Sequence, residues 1–186
     1  MALTSAELLA SFNAPAPQGQ AVVDARILIP EMESALLVVL EAIVSEPELR
    51  TWQERQFYSS QLAVTFTVDE EEARLVTMQD SPRLFHHVRI NCTETGSFDW
   101  NNNIDLVKFF TTLGVKVYEG TGKARTYVDN PIIWAADAVG RSLMGKIAHV
   151  PVKAKDEETG EWTSFKLDAE GEPVMKNVIV AVSSAA

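Results

Sequence analysis

Alternation is the most regular pattern along this chain. In "QLAVTFTV", residues 61–68, Leu62, Val64, Phe66 and Val68 fall on one side of an extended chain and Ala63, Thr65 and Thr67 on the other. That is the period of two expected of a strand with one buried face. "RLFHHVRINCTE" continues in β-branched and aromatic residues, "KIAHVPVKAK" alternates from Lys146 to Lys155, and "VMKNVIVAVS" forms a last β run from Val174. "AVVDARILI" (21–29) reads as an earlier strand. "ALLVVLEAIV" (35–44) fits a buried strand or a helix equally, because a short apolar run has no decisive period. "SEPELRTWQERQFY" (45–58) reads as a connection or a short helix, and "DEEE" (69–72) as a solvated acidic turn.

Helical periodicity is firm in one place, about 102–114. Ile104, Leu106, Val107, Phe110 and Leu113 form a stripe, Asn102 or Asn103 can cap its start, and Gly114 suits its end. "IIWAADAVGRSLMG" predicts a second short helix. A short N-terminal helix is predicted in "LTSAELLASF", where Thr4 and Glu7 form a capping box before Leu8, Leu9 and Phe12. Pro15, Pro17 and Gly19 end it, so residues 1–19 read as a helix and linker and residues 20–186 as a single domain. A long acidic hairpin is expected around Gly160 and Gly171. Several strands interrupted by one firm helix predict a mainly β (α+β) fold, a small barrel with a helix covering one end. The partly open five-stranded oligonucleotide-binding (OB) barrel is the commonest fold of that description.

Composition narrows this picture. A chain of 186 residues suits one domain able to bury a core without staples. The single cysteine, Cys92, leaves no internal disulfide and no zinc cluster. "MALTSAELLASFNAPAPQ" lacks a basic leader and a continuous apolar core, and no apolar run approaches a membrane span, so a cytoplasmic protein is expected. The net charge of −10 is unevenly spread. Residues 1–82 carry 4 Lys/Arg against 13 Asp/Glu, residues 83–155 carry 10 against 6, and residues 156–186 carry 2 against 7. An anionic partner therefore finds its cations in the middle third.

Catalytic signatures are sparse. "GRSLMGKI" (140–147) has the G-x-x-x-x-G-K spacing of a phosphate loop, but Ile147 stands where Ser or Thr should hold magnesium, and the alternating run that follows is a strand rather than a helix. His86 and His87 are adjacent, so on a strand they face opposite ways and cannot share a metal. His149 stands alone in a strand. No nucleophile with its base and no dinucleotide loop is present. A non-enzymatic protein without cofactor or metal is expected.

The order of segments resembles a family of small bacteriophage proteins encoded among replication and recombination genes and regarded as candidate single-stranded-DNA-binding proteins. The likeness rests on "APQGQAVVDARI", "LAVTFTVD", "TETGSFDWNNNIDLVKFFTTLG" and "SLMGKIAHVPVKAK". It implies single-stranded DNA as partner, an action in replication or recombination in a host cytoplasm, and possible further partners among proteins of those processes; homo-oligomerisation is open. It also makes Gly145 and Lys146 the lead-in to a barrel strand, glycine allowing a close approach and the lysine facing a groove.

Binding a single strand needs cations that follow phosphates and aromatic faces for bases. The sequence offers Lys116, Tyr118, Lys123, Arg125 and Tyr127 in the middle loop, then Arg141, Lys146, Lys153 and Lys155, with Trp162 and Lys166 on the hairpin. Trp100 and Trp134 are expected in the core. Trp52 is open between partner binding and covering the core. The acidic hairpin residues Asp156, Glu157, Glu158 and Glu161 and the acidic N-terminal third support the alternative of a protein-interaction module, an adaptor, inhibitor or virion component.

Overall fold

The computed structural model describes residues 27–52, 54–155, 162 and 164–185. The N-terminal helix, most of the 21–29 strand and the acidic tip with Asp156, Glu157, Glu158 and Glu161 lie outside the described residues. Apolar alternation builds the centre. In β1 (Met32–Val44), Ala35, Leu37 and Val39 point inward until a bulge between Val39 and Glu41 shifts the phase and leaves Leu40 and Ile43 exposed. In β3 (Arg55–Val68), Leu62, Val64, Phe66 and Val68 are all buried, as the alternation requires.

The two strands pair antiparallel from Leu37↔Val68 to Val44↔Leu62. β2 (Glu48–Trp52) prolongs the same edge of β3, from Glu48↔Ser59 to Trp52↔Arg55. Ser45 joins the two pieces, with its N–H donating to Gln61 O at 2.9 Å and its carbonyl accepting from Ser60 Oγ at 2.6 Å. Residues 48–52 and 55–58 are thus strands at the outer end of one long hairpin and not a helix, while 45–47 connect β1 to β2. They have no apolar period because they reach past the core, and the register of β1 against β3 carries them into strand form.

On the other edge of β3 lies β4 (Arg83–Asn91), paired from Thr67↔Arg83 to Ser59↔Asn91. Beyond β1 come β7 (Ser142–Pro151) and then β10 (Met175–Ser184), giving a six-stranded sheet. The order is β10-β7-β1-β3-β4 with β2 extending β1, all pairings antiparallel. Two short pairs stand apart: β5 (Tyr118–Glu119) with β6 (Thr126–Tyr127), and β8 (Lys153–Ala154) with β9 (Ser164–Phe165).

The described residues form no closed barrel. The end strands β4 and β10 run in the same direction and approach each other, yet form no ladder. The firm helix, α2 (Ile104–Thr112), packs on both and turns Leu106, Val107, Phe109 and Phe110 inward. Gly114 ends it at φ +72, as the sequence predicts. Its start differs. Asn103 sits at the cap position without capping; its Oδ1 accepts from Asn91 N at 2.8 Å, and its Nδ2 donates to Asn91 O at 2.8 Å and Asp99 O at 2.7 Å. The amide is only 3% exposed, and it binds α2 to the free edge of β4.

Other expectations are corrected by packing. "DEEE" opens a helix, α1 (Glu71–Thr77), because Glu71 and Glu72 complement its N-terminus, Ala73 buries, and Glu70 Oε1 accepts from Leu36 N at 2.8 Å. Ile27–Pro30 is not strand, although Ile29 is buried and its carbonyl accepts from His149 Nε2 at 2.8 Å. The second short helix, α3 (Pro131–Ala138), stops before "RSLMG", which belongs to β7. Asn130 caps α3 through Ile132 N and Ile133 N, and Trp134, fully buried, donates from Nε1 to Val128 O at 2.7 Å.

Gly145 has the close approach expected of it. It faces the core opposite Ala35, and a Cβ there would collide with Leu37 Cδ1. No helix among the described residues is long and apolar enough to cross a membrane. Gly145→Val is expected to cost about 1–3 kcal/mol of stability through overpacking. A urea titration checks this, and Leu37→Ala combined with Gly145→Val should recover part of the loss.

Candidate nucleic-acid interface

The inward alternation of β3 and β4 fixes what lies on their other face. Pairs Thr65↔Phe85, Ala63↔His87 and Gln61↔Arg89 stand there, continued by Phe57 and Arg55 towards the hairpin turn and by Arg83 at the other end. Phe85 is 57% exposed. The Arg89 guanidinium lies 4.8 Å from the Phe57 ring centroid, a cation–π contact that holds the ring beside a charge. A cavity of about 810 Å³ opens here, lined by Arg50, Arg55, Phe57, Gln61 and Arg89 among others. Arg50 is paired with Glu48 at 3.1 Å; among the described residues, Arg55, Arg83 and Arg89 have no carboxylate at salt-bridge distance. An exposed ring, Phe85, and a half-buried one, Phe57, flanked by guanidiniums without carboxylate partners can stack bases and bind phosphates.

Sequence reasoning did not select these residues. The signal was present in "RLFHHVRIN", where Arg83, Phe85, His87 and Arg89 alternate with Leu84, Val88 and Ile90. An aromatic-basic outer face is visible there once the strand is granted.

The residues selected from the sequence fall in three parts of the fold. At β5–β6, Tyr118 and Tyr127 lie 5.1 Å apart, Arg125 sits 5.1 Å over Tyr118, and Tyr127 packs on Trp100 at 4.7 Å. Burial chiefly pushes the Tyr118 hydroxyl up. These rings continue inward to Trp134, so they edge the core; Trp100, expected inside it, is 37% exposed because it packs at the rim against Tyr127. Lys116 Nζ is bound to Glu119 at 2.7 Å and holds that carboxyl below its usual range. The side chain of Lys123, on the turn Gly122–Ala124, and that of Trp52 lie outside the described residues.

Two more of the selected cations are committed within the fold. Arg141 donates from Nε to Asp137 O at 2.7 Å and from Nη1 to Gly114 O at 2.6 Å, tying the ends of α3 and α2 together. Lys146, on the outer face of β7, donates to both carboxylate oxygens of Glu33 at 2.8 Å. The phosphate-loop spacing is therefore part of a strand, with its lysine neutralised. The third part is the β8–β9 hairpin, where Lys153, Lys155 and Lys166 are exposed and Trp162 is 64% exposed.

A second space, of about 950 Å³, lies between β4, α2 and β10 and is lined by His87, Arg89, Ile104, Lys108 and Val180 among others. His86 and His87 face opposite ways: His86 turns inward and stacks on Phe109 at 5.7 Å, while His87 is exposed. Burial, and then the neighbouring His87, lowers the His86 pKa. Burial pushes the Cys92 thiol up, away from the thiolate a nucleophile needs. Among the described residues no three His, Cys, Asp or Glu side chains gather as a metal site.

His86 gives a pH dependence with a defined sign. Its folded pKa lies below the ordinary 6.5, so the unfolded chain takes up the proton first. Stability is full above that value and declines as pH falls from it towards the lowered folded pKa. Urea midpoints at neutral and mildly acidic pH should show this decline, and His86→Phe, which keeps a ring on Phe109, should reduce it. No protein-family model, curated protein or solved structure matches the chain.

Proposed function

We propose that this chain is a non-catalytic single-stranded-DNA-binding protein of the phage type, acting in replication or recombination in the cytoplasm, and that its sheet is an open OB-like barrel. The strand order supports the fold reading. With β2 counted as the end of β1, the strands β1, β3 and β4 form a meander, β7 returns beside β1, β10 follows β7, and α2 precedes β7 in the chain. A partly open OB barrel has this order, and such barrels bind oligonucleotides on the face of the second and third strands and on two flanking hairpins. Here those would be β3–β4, the β2–β3 turn and the β8–β9 hairpin. The last carries Lys153, Lys155, Trp162 and Lys166.

The observation that carries the function is the outer face of β3–β4. Phe57 under Arg89 and the exposed Phe85 offer faces for bases, and Arg55 and Arg83 offer charge for phosphates. With an overall charge of −10, binding depends on this local field. The resemblance to small phage proteins of replication and recombination supplies the biological setting.

Anisotropy of labelled oligo-dT, titrated at low and moderate salt with duplex DNA as control, tests the reading. Phe85→Ala is expected to cost roughly 1–3 kcal/mol of binding, the worth of one base stack. Arg55→Glu/Arg89→Glu should weaken binding and flatten its salt dependence, since each lost phosphate contact removes released counterions. Lys146→Glu should matter less, because Glu33 already holds that lysine. Absence of single-strand binding at low salt would overturn the proposal.

A further inference from the structure

The free edge of β4 has a fixed phase. Cys92 N donates to Tyr58 O at 3.2 Å and Val68 N to Pro82 O at 2.9 Å, so the even-numbered residues of β4 bond to β3. The N–H and C=O groups of Phe85, His87 and Arg89 therefore point away from β3, and among the described residues none has a hydrogen-bond partner. At the next position, Asn91, both groups are taken by the side-chain amide of Asn103. That amide donates and accepts as one residue of an incoming strand would. The fold itself thus begins an added strand and leaves the groups of Phe85, His87 and Arg89 without partners.

The cleft of about 950 Å³ runs along this edge. Ile104 of α2, 62% exposed, and Val180 and Val182 of β10 give it an apolar side, and the cations Lys108 and Arg89 outnumber the carboxylate Asp105. We propose that this cleft takes an extended acidic peptide, which adds to the free edge of β4 as a strand. Alternating N–H and C=O groups of a peptide match the edge, and its acidic side chains match Lys108 and Arg89. A phosphate backbone offers acceptors alone and would leave the His87 and Arg89 carbonyls unpaired. Arg89 is shared with the DNA-binding reading, which otherwise uses the outer face of the same strands.

Fluorescence polarisation of an octapeptide alternating Glu and Val provides the test. The peptide is expected to bind, its alternately N-methylated form to bind about tenfold or more weakly through lost hydrogen bonds, and a Lys-Val octapeptide not to bind. His87→Pro should abolish binding while keeping the fold, because that N–H does not serve the β3 ladder. Lys108→Glu, on the exposed face of α2, should weaken binding roughly threefold, as for a surface ion pair. Equal binding of the N-methylated peptide would overturn strand addition. So would displacement of the peptide by oligo-dT that persists in Arg55→Glu, a change confined to the outer face, which assigns the cleft to nucleic acid. Self-association lost in His87→Pro without peptide binding would likewise overturn it, assigning the cleft to a second copy of the chain.

Discussion

The seam between β4 and β10 is the constraint on which the rest of the structure depends. Two strands that run in the same direction meet without a ladder, so the sheet needs another way to cover its apolar side there. α2 supplies it by burying Leu106, Val107, Phe109 and Phe110 against both strands. Asn103 sets where the helix starts, through a buried amide that spends its hydrogen bonds on Asn91 and Asp99. Leaving such groups unpaired in a buried site costs about 1–3 kcal/mol each, so the tie is hard to exchange for another. The same arrangement leaves an open cleft on the outer side of the helix.

The inward side of the sheet is apolar almost without interruption, and that frees the outer side for chemistry. Because side chains alternate strictly, burying Leu84 and Ile90 and partly burying Val88 obliges Arg83, Phe85, His87 and Arg89 to stand outside. The long β2–β3 hairpin extends this face beyond the core and brings Arg50, Arg55 and Phe57 beside Arg89. Three cations selected from the sequence are occupied elsewhere: Lys146 with Glu33, Lys116 with Glu119, and Arg141 with backbone carbonyls near two helix ends. A count of basic residues by segment cannot separate these two populations. Only their neighbours do.

Local pattern was enough for β3, β4 and α2, whose periods are long and clean, and for Gly145 as a close-packed strand glycine. It was also enough to place His86 and His87 on opposite faces and Trp134 in the core. It was insufficient for residues 48–52 and 55–58, which are mostly polar and become strand by extending a hairpin registered elsewhere. It misjudged 69–72, where an acidic run gains a helix once Glu70 is fixed on Leu36. Asn103 shows the same limit at one residue, since its cap position is legible and its use as a strand partner is not.

The sequence by itself determined which side of each long strand is apolar, where the main helix lies, and that the chain is mainly β. These follow from periods of two and 3.6, which are properties of neighbouring residues. Tertiary structure decided that the sheet stays open, that the hairpin projects, and which arginines are left uncommitted by ion pairs. Those outcomes depend on contacts between residues far apart in the chain, such as Lys146 with Glu33 and Arg141 with Gly114, which no local period encodes.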